Sequence, residues 1–312
     1  MMKNKMKKKL GKIAYFVTGV LMRFSPKIAT KFIYRLKFGV KINLKNPKTL
    51  NEKLQWYKIY YYNNLEISKK VSDKFGAREY LINLGLEKYL TKLYGIWDDP
   101  NQIKWENLPD RYALKCTSGS GRNLFSRYNN QLNITDAVKK MNSWMKSKAE
   151  TGTAELAYKD IVPRILCEEL IVTDDGKPPL DYKFFCEYGE PKFFFIGSDR
   201  QEEVKSEKDV KFDYYTMDWE WIPVINRHPN AGDIFEKPNN FDEMVEVVRK
   251  ISAEFPLVRI DLYNVKGKIY FSEITLLHFG GLATFKPKIY DTLLGDYFKE
   301  PRSNVLNHKS NI

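Results

Sequence analysis

The stretch from Leu257 to Gly281, LVRIDLYNVKGKIYFSEITLLHFGG, constrains the fold more than any other. Val258, Ile260 and Leu262 alternate with Arg259, Asp261 and Tyr263. Beyond Lys266-Gly267, Ile274 and Leu276 alternate with Phe271, Glu273 and Thr275. Alternation of period two marks a strand, so the stretch reads as a β-hairpin. Arg259 and Asp261 share one face of the first strand, and Glu273 and Thr275 share one face of the second. Whether the two faces coincide depends on the turn. A two-residue turn at Lys266-Gly267 pairs Val265 with Lys268 and separates Asp261 from Glu273. A three-residue turn at Lys266-Gly267-Lys268 pairs Val265 with Ile269 and unites the two acids. The three-residue turn also sets Ile260 beside Ile274 on a buried side, and the hydrophobic pattern favours it. The plainer alternative is a half-solvated hairpin with scattered charges.

Composition narrows the class. The 312 residues are 43% hydrophobic and 14% aromatic, enough for a sizeable core and too apolar for a disordered chain. Cys116, Cys167 and Cys186 are widely spaced, and His228, His278 and His308 form no close set. A disulfide framework and a structural zinc site are both disfavoured, and a reducing cytoplasm fits. The net charge of +13 is uneven: residues 1–51 hold fourteen Lys/Arg and no acid, and the rest hold 38 basic and 39 acidic residues. The folded body is therefore near neutral, which argues against a nucleic-acid partner.

That basic segment begins MMKNKMKKKLGK and continues with an apolar run from Ile13 to Met22, too short to span a bilayer. Arg23 follows directly and no small-x-small cleavage site is evident, against a signal peptide. Ile13 to Phe38 reads as basic amphipathic helix broken at Ser25-Pro26, with Ser25 as cap. Phe16, Phe24, Phe32 and Tyr34 are interleaved with the cations. Peripheral contact of residues 1–40 with an anionic inner leaflet is the expectation, and a solvated arm is the alternative.

Further elements follow from periodicity and caps. A helix is expected over 47–62, capped by Thr49 or Asn51, and a second over 68–84, with Asp73, Lys74 and Arg78 on a solvated face. Tyr112 to Cys116 reads as a strand with Lys115 near its end. TSGSGRN (117–123) then forms a glycine-rich turn. Taken alone it reads as a hairpin turn. With a strand lysine before it, its backbone N–H groups also suit phosphate, since Gly119 and Gly121 permit close approach. It lacks the GK[ST] ending of a P-loop. A helix is expected over 135–149, capped by Thr135. Arg164 to Val172 reads as a strand in which Glu168 and Glu169 need partners. A hairpin over 181–197 carries Lys183 among aromatics. A helix over 240–254, a helical turn over 290–298 and a disordered tail from Arg302 complete the chain.

Five segments, TLNEKLQW (49–56), LKCTSGSGRN (114–123), DYKFFC (181–186), VRIDLYN (258–264) and IYFSEIT (269–275), occur in an order that resembles the TupA-like ATP-grasp family of surface-polysaccharide gene clusters. The resemblance spans roughly residues 45–295 and implies an α+β ATP-grasp fold, two subdomains gripping ATP. It divides the chain into a basic helical segment (1–45), a helical region (46–110), a small subdomain (111–170), a large subdomain with a metal site (171–300) and a tail (301–312). By resemblance, Lys115 and the loop with Ser118, Gly119, Ser120 and Gly121 contact phosphates. Glu168, Glu169 and Ile171 lie at the adenine, and Lys183 is a further nucleotide contact. Asp261, Glu273 and Thr275 are the magnesium ligands, Thr275 standing where the wider superfamily has asparagine. Arg259 and Lys115 are the catalytic cations. Arg200, His278, Gly280 and Gly281 are assigned to the substrate, with His278 also a candidate base.

The resulting expectation is an ADP-forming carboxylate–amine ligase using ATP and Mg2+ and acting on an amino acid or glycan. A glycosyltransferase using a nucleotide-sugar is the alternative; it has no need of the Lys115 loop or Lys183. A non-catalytic scaffold is the third reading, opposed by the full set Lys115, Arg259, Asp261 and Glu273.

Overall fold

A computed structural model describes residues 16–127, 132–147, 155–199, 210–232 and 235–309. Two antiparallel sheets organise them. Strands β1 (Leu93–Trp97), β2 (Tyr112–Cys116), β3 (Asn123–Ser126) and β4 (Ile165–Glu168) form a four-stranded sheet in the order β1-β4-β2-β3. Strands β5 (Asp181–Glu187), β6 (Glu190–Ser198), β7 (Lys211–Thr216), β8 (Trp221–Ile222), β10 (Val258–Val265) and β11 (Lys268–Thr275) form a six-stranded sheet, β11-β10-β5-β6-β7-β8. The remaining pair is β9 (Ile225–Asn226) with β12 (Phe285–Lys286). Each larger sheet has its own core, as an α+β architecture requires. The small one buries Leu114, Cys116, Ile165 and Cys167 with Met141. The large one is dominated by aromatics, with Phe184, Phe193, Phe194 and Phe195 fully buried. The small sheet takes its edge strand β1 from residues ahead of the expected boundary at 111.

Ser25 caps α1 (Pro26–Phe38), with Pro26 in the first turn. Thr49 and Glu52 close a capping box on α2 (Leu50–Tyr60). This helix is buried on several sides and spends its polar groups on the C-terminal loops. Asn51 exchanges hydrogen bonds with the Ala283 backbone, and Lys53 donates to the carbonyls of Gly295 and Phe298. Gln55 donates to the carbonyls of Gly280 and Gly281.

Several expectations need correction. The 68–84 helix is two, α3 (Glu66–Ser72) and α4 (Lys74–Asn83), broken at Asp73, which caps the second by accepting from the N–H groups of Phe75 and Gly76. They cross so closely that a methyl on Gly76 would lie 2.3 Å from the Lys70 carbonyl oxygen. Helix α5 (Ile134–Lys146) is capped by Asn133, not Thr135. Strand β4 stops at Glu168. Two expectations hold: helix α6 (Phe241–Ser252) follows Asn240, and α7 (Tyr290–Asp296) is the helical turn expected over 290–298. The tail from Arg302 is not disordered over its described part: α8 spans Pro301–Lys309.

The hairpin turn is also corrected. Val265 pairs with Lys268 across a two-residue turn. Lys266 and Gly267 have φ of 52° and 80°, the left-handed pair that matches the twist of two-residue hairpins. The acids nonetheless meet. Leu262 pairs with Phe271 and Asp261 with Glu273, so Ser272 is an extra residue, a β-bulge that restores the shared face. Ile260 consequently stands opposite Ile274.

Candidate active site

Adjacent strands bring the charged residues of the large sheet into rows. Asp261 on β10 is flanked by Lys183 on β5 and Glu273 on β11, and Arg259 is flanked by Phe185 and Thr275. Lys183 Nζ lies 2.6 Å from Asp181 Oδ2 and bonds Asp261 Oδ2 directly. Arg259 engages Asp261 through both Nε and Nη2, each at 2.7 Å. Its Nη2 also reaches Thr275 Oγ1 at 2.9 Å and lies 3.7 Å from Glu273 Oε2. Three acids, Asp181, Asp261 and Glu273, thus face two cations. Of the three, Glu273 is the one this pair holds most loosely, and its side chain is 40% exposed. Burial pushes the Asp261 carboxyl up, but Arg259 and Lys183 outweigh it and hold it well below the usual carboxylate range.

The small sheet supplies the second group. Lys115 on β2 bonds Glu168 Oε1 on β4. Glu168 Oε2 accepts from Thr91 Oγ1 at 2.7 Å and from Arg78 Nη1 at 3.0 Å. Burial opposes ionisation of Glu168, and Lys115, Thr91 and Arg78 reverse the balance, so the carboxyl stays below its ordinary value. The acid in an apolar strand has therefore found its partners. Glu169 is half-buried, and its N–H is committed to the Lys92 carbonyl. Ile171 lies half-buried beyond the end of β4.

Gly119 and Gly121 adopt φ of 84° and 71° in the loop after β2. Ser118 and Gly119 are buried, and Ser120 and Gly121 form the exposed tip. Helix α4 ties the loop down: Lys74 N–H donates to the Thr117 carbonyl at 2.9 Å and Lys74 Nζ to the Gly119 carbonyl at 2.7 Å. Lys74 and Arg78 are thus not on a solvated face, and Asp73 is buried as the helix cap. Spacing on one helix does not reveal that a sheet covers it, so sequence reasoning missed these two cations.

The two groups meet. One cavity of about 30 Å³ is lined by Lys74, Arg78, Lys115, Tyr158, Glu168 and Glu273. Both glutamates and all three cations therefore border the same space.

A family model described as TupA-like ATPgrasp matches residues 52–299. The chain belongs to the TupA-like ATP-grasp family. Solved structures with a similar fold include a D-alanine–D-alanine ligase from Bacillus anthracis complexed with ATP, at 12% identity and a TM-score of 0.47, covering 78% of this chain and 69% of that one. An N5-carboxyaminoimidazole synthetase from Staphylococcus aureus complexed with ADP matches at 12% identity and a TM-score of 0.42, covering 67% of this chain and 45% of that one. The ATP-grasp ligase PsnB complexed with a minimal precursor matches at 11% and 0.42, covering 79% and 65%. No curated protein matches the chain.

Within this ATP-grasp fold the substrate-assigned residues fall behind the cations. His278 is 1% exposed, and its Nδ1 lies 2.7 Å from Arg259 Nη1. A guanidinium only donates, so Nδ1 accepts and the proton sits on Nε2. Burial and the Arg259 charge both keep the ring neutral, far below its ordinary pKa. With its lone pair engaged, His278 is a partner of Arg259 and not a free base. Gly280 and Gly281 are buried, with their carbonyls held by Gln55. Arg200 lies outside the described residues. Lys183, expected at the nucleotide, is only 5% exposed and is clamped between two aspartates.

The oxygen donors suit magnesium in kind: two carboxylates and a hydroxyl on one sheet face, to which phosphate and water would add the further ligands. Among the described residues no three His, Cys, Asp or Glu side chains form a metal-binding group. Glu273 is the one carboxylate of the row left partly open.

Proposed function

We propose that this chain is an ADP-forming carboxylate–amine ligase of cell-surface polysaccharide assembly, joining an amino acid or sugar carboxylate to an amine. The observation that carries the reading is the shared cavity, where Lys115 and Glu168 of one sheet meet Glu273 of the other beside Gly119. A nucleotide seated there would lie between the glycine loop and the edge of the large sheet.

Attack of a carboxylate on the γ-phosphorus of ATP crowds negative charge and releases ADP. An amine then displaces phosphate from the acylphosphate. Lys115 and Lys74 stand beside the glycine loop, positioned to offset phosphate charge once their internal partners are exchanged. Arg259 is the cation that reaches Asp261, Thr275 and Glu273 alike and would meet the transferred group. Glu273, Asp261 and Thr275 would hold magnesium, which when bound neutralises and polarises the phosphate oxygens. With His278 engaged, the proton of the amine must leave to another group or to water.

A basic, apolar-studded surface supports membrane contact at the inner leaflet. Phe16 and Phe24 are 74% and 82% exposed, and Ile28, Leu36 and Val40 are exposed among Arg23, Lys27, Lys31, Arg35, Lys37 and Lys41. Tyr34 instead turns inward. No described helix is long and apolar enough to cross a membrane.

An ADP-release screen with Mg-ATP, pairing amino acids with uronic-acid glycans and amino sugars, tests the reaction. ADP formation that requires both a carboxylate and an amine is the expected result. Consumption of a nucleotide-sugar without ADP release from ATP would replace the ligase with a glycosyltransferase.

A further inference from the structure

We infer that Arg259 and a divalent cation are alternative occupants of one oxygen cluster, so that metal is held there only after a nucleotide phosphate has drawn the guanidinium away. The inference rests on the magnesium–nucleotide reading of the site above.

The guanidinium meets all three residues assigned to the metal. It takes Asp261 with two nitrogens at 2.7 Å, Thr275 at 2.9 Å, and lies 3.7 Å from Glu273. A carboxylate offers about four acceptor positions. Asp261 gives two to Arg259 and a third to Lys183, and it is fully buried. A divalent ion on the fourth would sit against two cations with no water between them. The arrangement therefore admits a guanidinium or a metal, not both.

The guanidinium position is built into the fold. Arg259 Nη1 donates to His278 Nδ1, so four of its five N–H groups are engaged. The Nε2 proton of His278 needs an acceptor, and its neighbour at 2.9 Å is the Asn226 side chain. Turning the Asn226 oxygen toward His278 and the Tyr214 hydroxyl satisfies both. Because His278 is neutral, Arg259 rests against it without like-charge repulsion. Only a group richer in negative charge than Asp261 with its two cations can draw Arg259 off, and a nucleotide phosphate is such a group. Its departure exposes both carboxylates to the metal as the phosphate gains a counter-charge.

The test uses Mn2+ as probe, with free ion read by electron paramagnetic resonance, on the full chain with and without ADP. Wild type is expected to show no saturable Mn2+ site alone and one site with ADP. Arg259→Gln is expected to gain one saturable nucleotide-free Mn2+ site that wild type lacks, lost again when Asp261→Asn is added. Should Arg259→Gln fail to fold, Arg259→Lys, whose single ammonium cannot bridge Asp261 and Thr275 alike, should show a smaller gain. Equal Mn2+ binding by wild type with and without ADP overturns the inference, as does a folded variant with no gain. Binding of a fluorescent ADP analogue is measured in parallel. Nucleotide binding without a metal gain sinks this inference alone, whereas no nucleotide binding under any condition sinks the ligase reading and this inference together.

Discussion

Asp261 and Glu273 face each other across β10 and β11 because one residue, Ser272, is looped out between them and the turn. Without the bulge, the Lys266-Gly267 turn would set the two acids on opposite faces. Their opposition brings two carboxylates, Arg259 and Thr275 together on one face of the sheet.

Asp261 is the anion that makes this convergence tolerable. Asp261→Asn leaves Lys183 and Arg259 buried with too little negative charge. The expected outcome is a loss of about 3–5 kcal/mol in urea-unfolding free energy and at least about a hundredfold loss of ADP release. The pH dependence follows in sign. The folded carboxyl lies below its unfolded value of about 3.9. Its contribution is therefore complete above about pH 4 and lost as pH falls through the folded pKa. Urea midpoints measured from pH 6 down to pH 2.5 should fall for wild type and fall less for Asp261→Asn.

Lys58 acts in the opposite direction. It is fully buried in α2, and burial lowers its pKa to about 8, with Glu155 partly offsetting the cost. The unfolded lysine titrates near 10.4, so between about pH 8 and that value the unfolded chain binds more protons and stability rises with pH. Lys58→Met should stabilise the protein at pH 7 by up to about 3 kcal/mol. The gain should shrink as pH approaches 10. Thermal denaturation at pH 7 and 9.5 distinguishes this from a lysine whose charge is fully compensated, which would give no gain at either.

Gly281 has φ of 69°, and a methyl there would lie 2.8 Å from Gln55 Nε2. Gln55 is buried and holds two carbonyls of that loop, so it cannot yield freely. Gly281→Ala should cost about 1–3 kcal/mol and reduce ADP release, since the same loop carries His278 against Arg259. Gly267→Ala is the comparison: its φ is 80°, but nothing lies within 4 Å. Equal losses of turnover in the two would show backbone strain alone at work.

The membrane reading is best tested by point changes, because α1 buries Ala29, Ile33 and Tyr34 and its removal would uncover the core. Phe24→Ser with Lys31→Glu and Arg35→Glu should weaken co-sedimentation with phosphatidylserine vesicles by at least about tenfold, each basic residue near the surface contributing about 1 kcal/mol. Unchanged binding would return the segment to the solvent.

The sequence by itself determined the strands of the two hairpins, the cap of α1, and which charged residues share a face within one strand. These depend on period, φ preference and neighbours a few positions away. Arg259 with Asp261, Glu273 with Thr275, and Lys183 on the preceding hairpin were legible for that reason, as were Lys115 and its glycine loop. The tertiary structure alone decided what each charge meets. It placed a bulge where a longer turn was expected, turned Lys74 and Arg78 onto a cavity, and enclosed Lys183 between two aspartates. It also made His278 a partner of Arg259. Pairing across 19 to 90 positions is set by how sheets and helices pack, and local pattern carries no record of the opposing surface.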